Sequence, residues 1–208
     1  MALVLSASEQ RVDQATSGLE HLSGDLRIIH EDGLTDATAL PTLITVGGSL
    51  KLENNINLVA MPEFPNLESV GGWMTIKGND KITEVSGFPA LESVVRTLEF
   101  SFNDNLAVIS GFPVLEWVRS LMIQNHNDLV TVSGFPELTT LEGPSSVLYI
   151  GNNDVLSDIS GLSSLVTVNG NVSVKSNPDL CGSAVDLLVE SLLDFIGDVT
   201  STGNDDGC

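Results

Sequence analysis

Prolines 41, 65, 89 and 113 stand 24 residues apart, and each opens nearly the same stretch of sequence. Pro65 to Phe88 reads PNLESVGGWMTIKGNDKITEVSGF, and Pro89 to Phe112 reads PALESVVRTLEFSFNDNLAVISGF. The next unit, Pro113 to Phe135, is one residue shorter, and Pro136 to Leu162 is three longer. Weaker copies run from Ser17 to Leu40 and from Pro41 to Phe64, and a partial one starts at Ser163. A fixed period of this size implies stacked supersecondary units, because one such unit cannot bury its apolar side alone. The chain is therefore expected to form one solenoid rather than a globular core. Solenoids expose long regular faces, which suit binding better than a catalytic pocket.

Within each unit a short alternating run recurs: Leu26-Arg27-Ile28, Leu50-Lys51-Leu52, Met74-Thr75-Ile76, Leu98-Glu99-Phe100, Leu121-Met122-Ile123, Leu148-Tyr149-Ile150 and Val172-Ser173-Val174. Alternation with a period of two in β-favouring residues reads as one parallel strand per repeat. Stacking about seven of them at ~4.8 Å gives a parallel sheet. Two further apolar clusters per unit, such as Ile82-x-x-Val85-x-x-Phe88 and Leu67-x-x-Val70, close a flattened, three-sided coil.

Three residues after most of these strands comes an asparagine: Asn55, Asn79, Asn103, Asn153 and Asn177. A stacked asparagine at a corner satisfies the turn backbone of its own and the neighbouring coil, which makes this a structural ladder. His126 breaks the column, flanked by Asn125 and Asn127. Ser-Gly pairs at 86–87, 110–111, 133–134 and 160–161 mark a second tight turn.

Open solenoid ends need caps. Residues 1–16 read as an N-terminal cap, a strand at Leu3-Val4-Leu5 followed by a helix over about 7–16 that the Ser6-Ala7-Ser8-Glu9 capping box would open. Residues 17–180 are the repeat body. Residues 181–208 read as a C-terminal cap: Val185, Leu188, Val189, Leu192 and Phe195 lie on one stripe of a helix from Ser183 to Ile196, and the STGNDDG tail follows as a loop. Cys181 and Cys208 bracket that segment. They are expected to be bonded, stapling a tail with no other means of docking and so placing the chain in an oxidising compartment; two free thiols are the alternative.

Strand, asparagine corner and leucine-rich segments at this period resemble the leucine-rich repeat class. The GGSLKLENNINL and GGWMTIKGNDKI stretches resemble more closely the receptor L domain, the β-helical module of insulin- and EGF-receptor-type ectodomains and of microbial surface proteins. The resemblance covers about residues 17–180. It implies a mainly β solenoid, a right-handed leucine-rich-repeat or β-helix-like coil with short helical caps, serving as a secreted or surface-attached recognition module without catalysis. The chain departs from the receptor pattern in having one expected disulfide and no following cysteine-rich module.

Charge narrows the function further. A net charge of −20 argues against nucleic acid and against anionic membrane surfaces, and no stretch is long and apolar enough to insert in a bilayer. His21, His30 and His126 fall in different repeats, and neither cysteine nor any serine sits in a nucleophile motif, so no enzyme, metal site or cofactor is expected. The strands concentrate the positive charge instead. Arg27, Lys51, Lys77, Arg96, Arg119 and Lys175 lie in or beside them with only Asp25, Glu53 and Glu99 of the 28 acidic residues, a formal +3 on an otherwise acidic molecule.

The expected ligand face is therefore the sheet, with Arg27, Lys51, Trp73, Thr75, Glu99, Met122, Tyr149 and Ser173 outward. Exposed aromatics beside basic groups are hot-spot material for a protein or glycan ligand. Two other columns compete: Glu68, Glu92 and Glu116, a weak candidate for calcium, and Thr45, Ser69, Ser93, Thr140 and Thr167, interrupted by Trp117, a poor match to a flat ice-binding surface. The reading is an extracellular or cell-surface recognition or adhesion module whose signal peptide has been removed. The alternatives are a structural spacer within a larger surface protein and an ice-binding solenoid.

Overall fold

The computed structural model describes residues 3–5, 18–31, 33–35 and 40–208. The helix expected over residues 7–16 lies outside them.

The fold is a β-solenoid of parallel strands with little helix. Its main strip stacks Leu3–Leu5, Leu26–Ile29, Leu50–Glu53, Met74–Lys77, Ser93–Ser101, Trp117–His126, Thr140–Asn153 and Thr167–Lys175 in chain order, and Val199–Thr202 pairs outside the last of these. Register follows the repeat: Leu26, Leu50, Met74, Leu98, Leu121, Leu148 and Val172 are neighbours in one inward column. All seven side chains are buried.

Each coil carries more strand than the single run expected. His21–Leu22, Thr45–Val46 and Ser69–Val70 form a second parallel strip. From Ser93–Ser101 onward that strip and the main one are a single long strand. The difference lies at the corner between the strips. Gly47-Gly48 and Gly71-Gly72 turn it in the early coils, and a Cβ at Gly71 would run into the Gly47 carbonyl oxygen. Val95-Arg96 replaces the glycine pair in the next coil, and the backbone stays extended. A third, narrow sheet of Glu84–Val85, Val108–Ile109 and Thr131–Val132 closes the far side.

Two buried columns tie the coils together. Phe64, Phe88, Phe112 and Phe135 stack with ring centroids 5.2 Å apart and planes within 11° of parallel. In the asparagine ladder, the Asn79 carboxamide oxygen accepts the backbone N–H and side-chain N–H of Asn55, while its own Nδ2 donates to the Leu52 carbonyl of the preceding coil. The same bonds recur one coil on, between Asn79 and Asn103.

The C-terminal cap differs from the expectation. The helix is Gly182–Glu190, with Val185 and Leu188 buried, and it stops short of Ile196. Leu193 and Asp194 instead donate their N–H groups to the Val166 carbonyl, and Asp194–Phe195 pairs with Thr167–Val168. Pairing to the open edge of the last coil thus wins over another helical turn. The polar tail is a loop only in part, since Ser201 and Thr202 are strand. Val199–Thr202 lies in register on Val172–Lys175, and Asn204 ends the ladder by accepting from Asn177 and donating to the Val174 carbonyl. Cys181 and Cys208 are disulfide-bonded, with Cα atoms 5.7 Å apart. The bond closes this last coil, which the ladder and strand pairing already dock.

His126 occupies a ladder position and is fully buried. Its Nδ1 accepts the Asn103 N–H, but its Nε2 and the Asn153 carboxamide oxygen have no partner. Burial holds the imidazole pKa below the ordinary 6.5, against smaller opposing effects of backbone contacts with Asn103 and Phe100 and the Asp104 charge. As the folded form resists the proton that the unfolded chain takes up, stability is lost as pH falls from about 6.5 through the lower folded value. The melting temperature is expected to drop between pH 7.5 and 5.5, and His126→Asn, which restores the ladder amide, is expected to flatten that drop. An equal drop in both proteins would assign the acid sensitivity elsewhere. Asp25, held low by the Ser49 N–H and then Arg27, loses its contribution only below about 3.8, outside that window.

Candidate recognition face

The outward side of the main strip carries three columns. The central one runs Arg27, Lys51, Thr75, Glu99, Met122, Tyr149 and Ser173, each in register with the next. Seven of the eight residues expected on the ligand face thus form one line along the solenoid. Trp73 stands two residues before Thr75 on the same face, half exposed at 48%.

Thr75 is a correction. It is 7% exposed, because it lies between the longer Lys51 and Glu99 in its column, with Trp73 just before its strand. It contributes shape at most and offers no contact atoms.

The basic groups of the face are held in place. Arg27 pairs with Asp25 at 2.7 Å and Lys51 with Glu53 at 3.3 Å, while Ser101 Oγ donates to Glu99 at 2.8 Å. Three others lie over aromatic rings: Arg96 over Trp73 at 4.6 Å, Lys77 over Phe102 at 5.2 Å and Lys175 over Tyr149 at 5.4 Å. A cation on one side of an exposed ring is worth about 0.5–1 kcal/mol and fixes the ring in place. The face therefore presents pre-positioned aromatics alternating with partly neutralised charge, rather than free lysines.

Phe102 is the residue that sequence reading missed. It sits at the corner after the strand, where the equivalent residues His30, Asn54, Asn125, Asn152 and Ser176 all have positive φ. Phe102 shares that left-handed conformation at φ 55° and exposes 48% of its surface. Glycine or asparagine adopts it cheaply, and Gly78 fills it one coil earlier, whereas a bulky side chain is an outlier there. The available signal was its place in the repeat: the other coils carry Asn, Gly, His or Ser at that position.

The competing columns are also placed. Thr45, Ser69, Ser93, Thr140 and Thr167 line the second strip with Trp117 among them, and His21 Nδ1 lies 3.0 Å from the Thr45 hydroxyl. Glu68, Glu92 and Glu116 form the adjoining column, linked by backbone bonds of 2.9 and 3.0 Å. Among the described residues, no group of three His, Cys, Asp or Glu side chains is arranged to hold a metal ion.

Comparison with protein-family models, with curated proteins and with solved structures gave no match.

Proposed function

We propose that the chain is a non-catalytic recognition module of an extracellular or cell-surface protein, binding a protein or glycan across the main strip. The observation that carries this reading is the aromatic set of exposed Trp73 and Phe102 and half-buried Tyr149, each ring braced by a basic side chain of the chain itself. Rings fixed in advance lose little entropy on binding, and aromatic and arginine side chains dominate binding hot spots. Phe102 adds a second strand of support. The fold requires a left-handed corner there in coil after coil, but a phenylalanine carries strain that glycine or asparagine would avoid, and an exposed bulky outlier of this kind marks function. The disulfide fits an oxidising compartment. The likeness of the repeats to receptor L domains points the same way.

Separating stability from binding tests the reading. Trp73→Ala and Tyr149→Ala are expected to leave the melting temperature nearly unchanged, and Phe102→Asn to raise stability by up to about 1 kcal/mol by relieving the left-handed strain. Each should weaken binding to a partner found on an extracellular-protein or glycan array by about 2 kcal/mol, roughly thirtyfold. A partner bound equally well by all three variants would place the contact surface elsewhere. An array that stays empty for the wild type would favour a spacer.

A further inference from the structure

Trp117 occupies the hydroxyl column of the second strip, in register between Ser93 and Thr140. Its indole is 37% exposed and lines a shallow groove of about 380 Å³ with Glu116, Thr139, Thr140 and Glu142. Chain irregularity builds one wall: register slips between Leu141 and Ser146, so residues 142–145 have no register partner on either neighbouring strand, and Glu142 lines the groove with the indole. The groove is distinct from the main strip and differs from it in one telling respect. Trp73, Phe102 and Tyr149 each carry a cation of the chain over the ring, whereas Trp117 has none among the described residues.

Nor does the chain have a described cation to supply. Arg27 and Lys51 are in ion pairs, Lys77, Arg96 and Lys175 cover other rings, and Lys81 donates to Asn57 at 2.6 Å. Arg119, the nearest in sequence, packs its Cγ and Nε against Gly143, where a Cβ would crowd them at 3.0 and 2.8 Å. The Glu116 and Glu142 carboxylates have no ion-pair or hydrogen-bond partner among the described residues.

We propose that this groove receives a lysine or arginine side chain from a basic segment of a partner protein. Tryptophan is the best ring for a cation. Two unpaired carboxylates flank it to take the N–H groups, and the Thr139 and Thr140 hydroxyls, 3.3 Å apart, accept what remains. Outside the basic strip the molecule is strongly acidic, so its field steers a basic segment to this wall and not to the main strip.

The test uses the whole chain with Trp73→Phe, which leaves Trp117 as the one tryptophan, and blocked pentalysine as the probe. Saturable change in Trp117 emission is expected, with affinity falling at least about tenfold between low and physiological salt. Glu116→Gln with Glu142→Gln is expected to weaken binding about tenfold, whereas Asp80→Asn with Asp128→Asn, the same loss of charge at another corner, should change it less than about twofold. Tyr149→Ala should leave it unchanged, which separates this groove from the main face. Equal weakening by the two double variants would reduce the binding to diffuse acidity and overturn the proposal. Saturation of the Trp117 signal by calcium or by a neutral cello-oligosaccharide, with none by pentalysine, would overturn the ligand class.

Discussion

Replacing Phe112 by Ala is expected to cost about 4 kcal/mol, within the usual range for a buried phenylalanine. The ring is fully buried and touches three others: it stacks on Phe88 and Phe135 at 5.2 Å and meets Phe100 edge-on at 5.7 Å. Each such pair adds about 0.5–1.5 kcal/mol beyond the apolar area it buries. Collapse cannot refill the space, because the coils above and below are fixed at the strand spacing by continuous ladders. The loss also falls where a solenoid is most sensitive. Stability here is close to a sum of coil and interface contributions, and an interior coil shares two interfaces. Phe64, with one stacked neighbour, is expected to cost less on the same change. Urea unfolding of both variants checks this, and a Phe112→Ala cost below about 2 kcal/mol would mean that the column relaxes as an ordinary core does.

How much of this was legible in the sequence depends on whether a feature repeats. The inward column from Leu26 to Val172 was readable because alternation is imposed separately on every coil. The asparagine ladder was readable for the same reason, down to the break at His126. The second strip was not, since Thr45–Val46 and Ser69–Val70 are strands of two residues, too short to show any alternation. The last coil was hidden by composition. Gly203, Asn204 and Asp205 look like a loop, yet Asn204 is the residue that continues the ladder, offset by 27 positions from Asn177 and not by 24. Of the recognition face, the outward column followed from strand phase alone. Thr75 was misjudged because phase says which way a side chain points and not how tall its neighbours are. Phe102 and Trp117 carry the reverse lesson: each is a departure from the repeat, visible as an interruption, whose consequence depends on backbone conformation and on neighbours that only the folded chain brings together.

Asn79→Ala is expected to rival the loss of Phe112, though it removes no apolar contact. The carboxamide oxygen serves the Asn55 N–H at 3.1 Å and the Asn55 Nδ2 at 3.0 Å, and its Nδ2 serves the Leu52 carbonyl at 2.9 Å. All of these groups are buried. Substitution leaves the Asn55 N–H and the Leu52 carbonyl without their bonds, while the Asn55 amide keeps its bond to the Ile28 carbonyl. An unsatisfied buried group costs about 1–3 kcal/mol, so the sum is about 4 kcal/mol even though a made bond nets only about 1. Water cannot restore the bonds, since Asn79 is fully enclosed. Asn204 makes the equivalent bonds at the end of the column but is 9% exposed, with the last coil open on one side. Solvent can reach its partners once the side chain is gone, and Asn204→Ala should therefore cost about 1 kcal/mol. Thermal or urea melts of the two variants decide the matter: a steep difference supports a ladder whose value lies in satisfying buried backbone, and equal costs would mean that the asparagines act by packing alone.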